Sequence, residues 1–494
     1  VNTRTLLRVR LRIIWLVASG AFFLMSAAWA LALPINGTYD EKNHIVRAYA
    51  VAHGDLYVHG RAAQRFNGRA FLAPASLLPS NPDCTWNPTP QPASCQHPVH
   101  DRTVVVLRSD VSRYSPVYYL PVGIPMLISP DATGVVLGRL VSALLAAMLL
   151  ASAVVTAVRS GNRLLVAALA LVSTPMALNL YGAINPNGLE IAAGVSFFVS
   201  FLALLREPGN RRLTVLTGLS AFLLLTVREI GPLLLAMSAL ACLVMAAPRR
   251  RRSRPEMPSR LRELRWWVLG GFLAAGVVFA AWWDLSSGIS QVVPVVSQIH
   301  AGTGELARRI ATERVPFYLQ QIVGQFSYGE TTISKAAVYG WYAIGAALVV
   351  PALLFGAWRA RLALVGLFAA CFALLIGLEA HFAPVLGWSQ HGRYVMPALV
   401  GVVVGAAFVD RYADWLAARG WLGWFVTGVV VATAPIHLYA LARVMTRFQV
   451  GIAASLNPFA GSWHPAAGSA LPLAACLLGL LLLVALSTRN ARNH

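Results

Sequence analysis

Apolar runs of roughly 17–25 residues recur along this chain, each long enough to cross a bilayer as a helix. They fall at 13–33, 135–157, 163–182, 187–205, 212–227, 231–247, 266–283, 337–357, 362–379, 394–410, 421–441 and 468–487, about twelve spans by the length criterion. Charged residues make up only 12% of the chain, about half the share in soluble domains, and the mean hydropathy is +0.63. Barrel strands are about half as long and alternate in polarity, so the runs exclude a membrane β-barrel. The expected fold is an all-α polytopic bundle, one transmembrane domain over 1–494, with long polar loops at 34–133, 284–336 and 442–467.

The formal net charge is +21, with many arginines clustered between apolar runs: Arg4, Arg8, Arg10 and Arg12; the run 249–254; Arg359 and Arg361. Such clusters mark cytoplasmic loops against anionic headgroups, not a nucleic-acid surface. Loops near 159–163, 206–212, 248–265, 358–361 and 411–420 share the cytoplasmic side with the N-terminus, and Arg492 puts the C-terminus there too. The three long loops then face outward, from a plasma (inner) membrane. The length and basic flank of the first run favour a retained helix over a cleaved signal. The runs 212–227 and 231–247 are interrupted by Arg228, Glu229, Gly231 and Pro232. They read either as two full spans or as two helices meeting short of the surface.

Cys242, Cys371 and Cys476 sit in apolar runs as packing residues. Cys84 and Cys95 lie in a Pro-rich outward loop, where a disulfide closing a small ring is expected.

Just beyond the first run come Asp40, Glu41, His44 and Arg47. Ionisable groups at a membrane boundary are costly and call for a function. Residues 40–54 have helical periodicity and are expected to form a juxtamembrane helix lying flat on the bilayer. Asp40 and Glu41 are the candidate catalytic residues. Neighbours on a helix point in different directions, so one carboxylate takes a proton from an acceptor hydroxyl while the other caps the helix. His44 shares their face as a substrate or cation contact, and Arg47 as a partner of either acid or of phosphate.

Other candidate substrate contacts lie at breaks between spans. Asn185, Asn187 and Glu190 surround an outward turn, where the amides serve sugar hydroxyls or cap a helix. Arg228 and Glu229 either neutralise each other or present Arg228 to a phosphate. His391, Arg393 and Tyr394 open another helix from the outer side, with Glu379 and His381 upstream, and residues 303–323 look amphipathic. Phosphate-binding glycine loops, zinc-finger spacings and nucleophile elbows are absent from the sequence. Energy for any reaction outside the cell must therefore arrive in the substrate.

Three motifs carry a resemblance: Asp40 to Gly54 after the first run, Thr174 to Glu190, and Gln390 to Pro397. From about residue 15 to about residue 440 the chain resembles a family of bacterial multipass membrane proteins of unknown function. That family is similar in layout to the GT-C superfamily of polyprenyl-phosphate-sugar glycosyltransferases. The resemblance implies a GT-C-like bundle and an acidic base in the first extracytoplasmic loop, on Asp40 or Glu41, with Asp the commoner choice. It implies a polyprenyl-phosphate sugar donor and a cell-envelope polysaccharide or glycolipid acceptor. Some such enzymes use a divalent cation (Mg or Mn) and others none, and the residues leave that open. The Arg- and Pro-rich composition suggests an actinobacterial source, with arabinofuranose as a donor sugar. A transporter or flippase of lipid-linked sugars, or a non-catalytic envelope-assembly protein, are the alternative classes.

Overall fold

The computed structural model describes residues 3–64, 66–246, 259–288, 299 and 301–489. The arginine run 249–254 and Arg492 lie outside the described residues. Helices α1 (Thr3–Ala32), α2 (Glu41–His53) and α3 (Gly60–Ala63) are followed by α4 (Pro116–Ile128), α5 (Ala132–Arg159), α6 (Leu164–Val172), α7 (Pro175–Tyr181) and α8 (Pro186–Arg206). Next come α9 (Arg211–Val227), α10 (Gly231–Met245), α11 (Ser259–Ser287), α12 (Thr303–Arg309), α13 (Val315–Gly324) and α14 (Lys335–Phe355). The chain continues through α15 (Trp358–Leu386), α16 (Met396–Ala407), α17 (Asp410–Ala417), α18 (Leu422–Gln449) and α19 (Ala470–Arg489). α1 packs on α5 and α19; α8 lies between α5, α9 and α16; α18 joins α19 and α6.

Among the described residues, eight helices are long and apolar enough to span, or up to 10 if each of two bent pairs is one span. The count of about twelve is thus revised at the pair it treated as ambiguous. α9 has 17 residues and α10 has 15, about 25 and 22 Å at 1.5 Å per residue, against hydrocarbon of about 30 Å. They meet at Arg228 and Glu229. The expected span at 163–182 bends by 71°, because Thr174 caps α7 and Pro175 starts it. Its Oγ1 also donates to the Ile322 carbonyl across the bundle at 2.8 Å.

The first long loop is more structured than its composition suggests. Strand β1 (Ala70–Pro74) pairs antiparallel with β2 (Val104–Arg108), in the register Ala70 opposite Arg108 and Pro74 opposite Val104. α4 is an apolar helix inside the same loop. Together they cover α2, whose residues Asn43, His44, Val46, Arg47 and Ala50 are buried. α2 is thus largely buried and roofed by protein, where its sequence pattern alone suggested an exposed face. The α2–α4 approach needs a glycine, since a Cβ on Gly123 would meet the Ala48 carbonyl oxygen at 2.0 Å. Gly194 does the same for α8 against α16, where a Cβ would meet the Pro397 oxygen at 2.0 Å.

Cys84 and Cys95 are disulfide-bonded. The ring they close docks on Arg447 of α18, which donates to the Gln91 and Thr85 carbonyls and pairs with Glu330 at 2.9 Å. Glu330 sits in the turn between β3 (Gln325–Phe326) and β4 (Thr331–Thr332). The disulfide ring and this small hairpin are thereby held together over the end of the bundle.

Candidate active site

Asp40 occupies the N-cap of α2 but makes no capping bond; its backbone is left-handed, φ 59° and ψ 9°. That conformation costs an L-residue roughly 1–2 kcal/mol, less for Asp, which tolerates it. The carboxylate turns away from the helix toward Arg393, with Nη2 donating to Oδ2 at 3.2 Å. Of the Asp40 side chain 37% is open to solvent, while Arg393 shows 2%. Protein surrounds Asp40 on its other sides. Desolvation there raises its carboxyl pKa above the ordinary value, against the lowering pull of Arg393.

Arg393 is over-supplied with donors. Its guanidinium lies over the Tyr39 ring at 4.1 Å and the Tyr394 ring at 5.3 Å, yet Nε and Nη1 are buried without a hydrogen-bond acceptor. Arg228 stacks on the same Tyr394 at 4.6 Å. It pairs with Glu190 at 3.5 Å and not with Glu229, which is exposed. The Arg228–Glu229 neutralisation considered from the sequence is replaced by a bridge between the α9–α10 break and α8. Two buried cations thus flank one aromatic ring; Arg393 keeps Nε and Nη1 buried without an acceptor, while the Arg228 Nη1 is the atom that faces Glu190 Oε2. Leaving such donors unmade is expensive, and an anionic oxygen cluster satisfies them well.

Glu41 has a different surrounding. Arg139 of α5 grips it with Nε to Oε1 at 2.7 Å and Nη2 to Oε2 at 2.6 Å. The remaining Arg139 donors reach the Ala30, Leu33 and Pro34 carbonyls at 3.1, 2.9 and 2.7 Å. Both side chains are almost fully excluded from solvent. Glu41 Oε1 also accepts from the Ile184 amide at 3.2 Å. These three hydrogen bonds and its burial tie Glu41 into the junction of α1, α2 and α5.

Arg47 pairs with neither acid and meets no open phosphate position. It is buried, donating to the Tyr114 carbonyl at 2.8 Å and the Leu56 carbonyl at 2.9 Å. Its expected role as a substrate contact gives way to holding the loop onto α2, since the acceptors it reaches are the Tyr114, Asp55 and Leu56 carbonyls. His44 is buried with Nδ1 at 2.7 Å from the Tyr119 hydroxyl. Desolvation, then the charges of Arg393 and Arg228, push its pKa well below the ordinary imidazole value, so it is neutral.

Asn185 caps α8, its Oδ1 accepting from the Asn187 amide at 3.1 Å, and its Nδ2 holds the Tyr39 carbonyl at 3.1 Å. It fixes the residue before Asp40. Asn187 Nδ2 is buried without a partner. His391 is hydrogen-bonded to Gln321 at 2.9 Å and sits edge-on to Tyr39 at 4.6 Å, so it supports the wall behind Arg393. Glu379 is fully buried and receives Arg314 at 3.0 Å together with the Tyr318 hydroxyl, which pins the amphipathic α12–α13 segment onto α15.

Among the described residues no group of three or more His, Cys, Asp or Glu side chains converges. The charged groups that act on Asp40 are Arg393, Asp110 and, on its own helix, Lys42.

Sequence reasoning missed Arg139 and Tyr39. A lone arginine inside an apolar run is the signal that would have found Arg139. Nothing local marks Tyr39.

The DUF2142 family of predicted membrane proteins matches residues 23–402. This chain belongs to that family. No curated protein matches the chain. Crystal structures of ArnT from Cupriavidus metallidurans are similar in layout. The apo form gives a TM-score of 0.44 at 11% identity over 99% of this chain and 78% of that one. The form bound to undecaprenyl phosphate gives 0.43 at 12% identity over 97% and 77%.

Proposed function

We propose that this membrane protein is a glycosyltransferase that moves a sugar from a polyprenyl-phosphate donor to a cell-envelope glycan or glycolipid, on the extracytoplasmic face. The observation that carries the reading is a partly open, strained Asp40 set against a buried Arg393 with unmade hydrogen bonds. A basic residue and an anion site are what such a transfer requires.

In the reaction, the acceptor hydroxyl oxygen attacks the anomeric carbon of the donor. Asp40 takes the hydroxyl proton as the new C–O bond forms. The bond from the anomeric carbon to the phosphate oxygen breaks, its electron pair leaving with the lipid phosphate. Arg393 and Arg228 hold that phosphate and its growing charge, and Tyr394 between them keeps the two guanidinium planes in place. Arg393 works against the desolvation that raises the Asp40 pKa and so favours its ionised form. The arginine bias of the loops supports an extracytoplasmic site. Arabinofuranose remains the sugar we favour, on the family resemblance and composition.

The test is transfer of radiolabel from polyprenyl-phosphate sugars in membranes, wild type against Asp40→Asn at equal expression. Transfer should vanish in the variant. Wild-type rates in Asp40→Asn would remove Asp40 as the base, and absence of transfer from every such donor by the wild type would remove the function.

A further inference from the structure

Among the described residues three acidic side chains are fully buried: Glu41, Glu190 and Glu379. Two of them are held as buried charges usually are, by several hydrogen bonds. Glu41 accepts two from Arg139 and one from the Ile184 amide. Glu379 accepts from Arg314 and the Ser389 amide, both at 3.0 Å, and from the Tyr318 hydroxyl. Glu190 is different: both of its oxygens are buried without a hydrogen-bond partner. Its cation is Arg228, whose Nη1 stands 3.5 Å from Oε2, beyond good hydrogen-bond length. Its Oε1 faces the α9–α10 break, 3.7 Å from where a Cβ on Gly231 would sit. A buried charge in that state costs stability, so packing does not account for it.

We infer that Glu190 sets the charge that the phosphate site accepts, acting through Arg228 to favour a singly charged phosphodiester over a doubly charged phosphomonoester. The inference rests on the transferase reading above, in which Arg228 and Arg393 hold the lipid phosphate. The donor is a phosphodiester with one negative charge. When its bond to the anomeric carbon breaks, the electron pair stays on the phosphate oxygen, and the product is a monoester with a second charge above about pH 6. Two arginines alone would prefer that product and retain it. Here the charge of Arg228 is already shared with Glu190, and only Arg393 has buried donors without an acceptor. Like charges in a desolvated site repel strongly, so the second phosphate charge is opposed by Glu190 and the product is expelled. Asp40 is 37% open, and solvent screens its charge. Tyr114, Tyr394 and Glu229 also act on Arg228, and Arg228 acts on His44. Burial pushes the Tyr114 hydroxyl up to about 12, and His44 is neutral, so neither changes charge between about pH 6 and pH 8.

The experiment uses full-length protein in nanodiscs and measures binding, without turnover, of farnesyl phosphate and of its methyl diester. Wild type, Glu190→Gln, Glu190→Asp and Asp40→Asn are compared at about pH 6 and about pH 8, with thermal unfolding as the check on folding. In the wild type the diester should bind alike at both pH values, and the monoester should weaken about tenfold at the higher one, well within what like-charge juxtaposition costs. Glu190→Gln should raise the ratio of monoester to diester affinity at about pH 8 by about tenfold. Glu190→Asp, which keeps the charge, should keep the wild-type ratio, and Asp40→Asn should move it less than Glu190→Gln does. Equal loss of both probes in a folded Glu190→Gln would make Glu190 a mere support for Arg228 and overturn the inference. An unchanged ratio in that variant, or a larger change in Asp40→Asn, would do the same. Should Glu190→Gln fail to fold, wild-type monoester binding that tightens toward higher pH still overturns it, as does wild-type protein that binds neither probe. Charge selectivity that depends on Glu190, in a protein that transfers no sugar, would keep the inference and overturn the transferase reading alone. Transfer without that selectivity would overturn only the inference.

Discussion

Asp40 and Glu41 are sequence neighbours, each paired with a buried arginine from a distant helix, yet the two pairs differ in every physical respect. The Glu41–Arg139 pair is closed: bidentate, nearly fully buried, with every arginine donor engaged. Asp40–Arg393 is open, joined through one contact of 3.2 Å, with the carboxylate partly in solvent and two arginine nitrogens unmatched. A closed pair, buried and with every arginine donor engaged, acts as a clamp between helices. An open pair carries unmet hydrogen-bonding demand, and a substrate can meet it. The difference arises from one backbone step: the left-handed turn at Asp40 aims its side chain away from the helix whose first turn holds Glu41.

Substitutions can break or sharpen this contrast. The largest effect should come from Asp40→Asn, which removes the proposed base and keeps the shape. Loss of general-base catalysis is worth roughly 10²–10⁴-fold in rate, read as label transferred per unit protein, with the unfolding temperature held. Glu41→Ala should invert that pattern. Removing one partner of a buried pair costs about 3–5 kcal/mol, so thermal unfolding in detergent should fall sharply, and residual folded protein should still transfer. If Glu41→Ala leaves stability intact and abolishes turnover, the two acids have exchanged roles.

Arg393→Gln comes next, with two readouts. Loss of charge-assisted bonds to phosphate, about 1.5–3 kcal/mol, should raise the donor concentration for half-maximal rate by roughly 10- to 100-fold. The pH profile should also move. Asp40 works only when ionised, so activity is present above its folded-state pKa and is lost as pH falls through it. That pKa is already raised, and Arg393 is what lowers it. Removing the arginine raises it further, so the acid limb of the rate profile should shift to higher pH. A shift in the opposite direction would mean that Asp40 is not the titrating base.

The smallest effect belongs to His44→Gln. His44 is neutral and spends Nδ1 on Tyr119, so about 1 kcal/mol of stability is at stake. The shape of the pH profile should not change. Appearance or loss of an inflection near pH 6 to 7 would give His44 a direct part in proton transfer.

Residue patterns gave the membrane class, most span positions and the break at Arg228–Glu229, and put Asp40, Arg228 and Arg393 forward as candidates. Those follow from local quantities: run length, arginine bias and clusters of ionisable groups at run boundaries. Pairing was not legible. The partners of Asp40, Glu41 and Arg228 lie far away in sequence, at Arg393, Arg139 and Glu190, and no spacing rule reaches that distance. The burial of α2 was also out of reach. Its own periodicity fits a surface helix, and only the fold-back of α4 and the β1–β2 hairpin roofs it over. Arg47 shows the same limit, since a guanidinium's acceptors were backbone carbonyls and every residue carries one.

By itself, then, the sequence settled that this chain must live in a bilayer and that its ionisable groups gather where the spans break. Hydrocarbon penalises charge residue by residue, so composition along the chain records that constraint directly. Which carboxylate is clamped and which is left open was decided only by the tertiary structure. That outcome depends on which distant arginine a helix crossing delivers to each acid, and on the left-handed backbone of Asp40 itself.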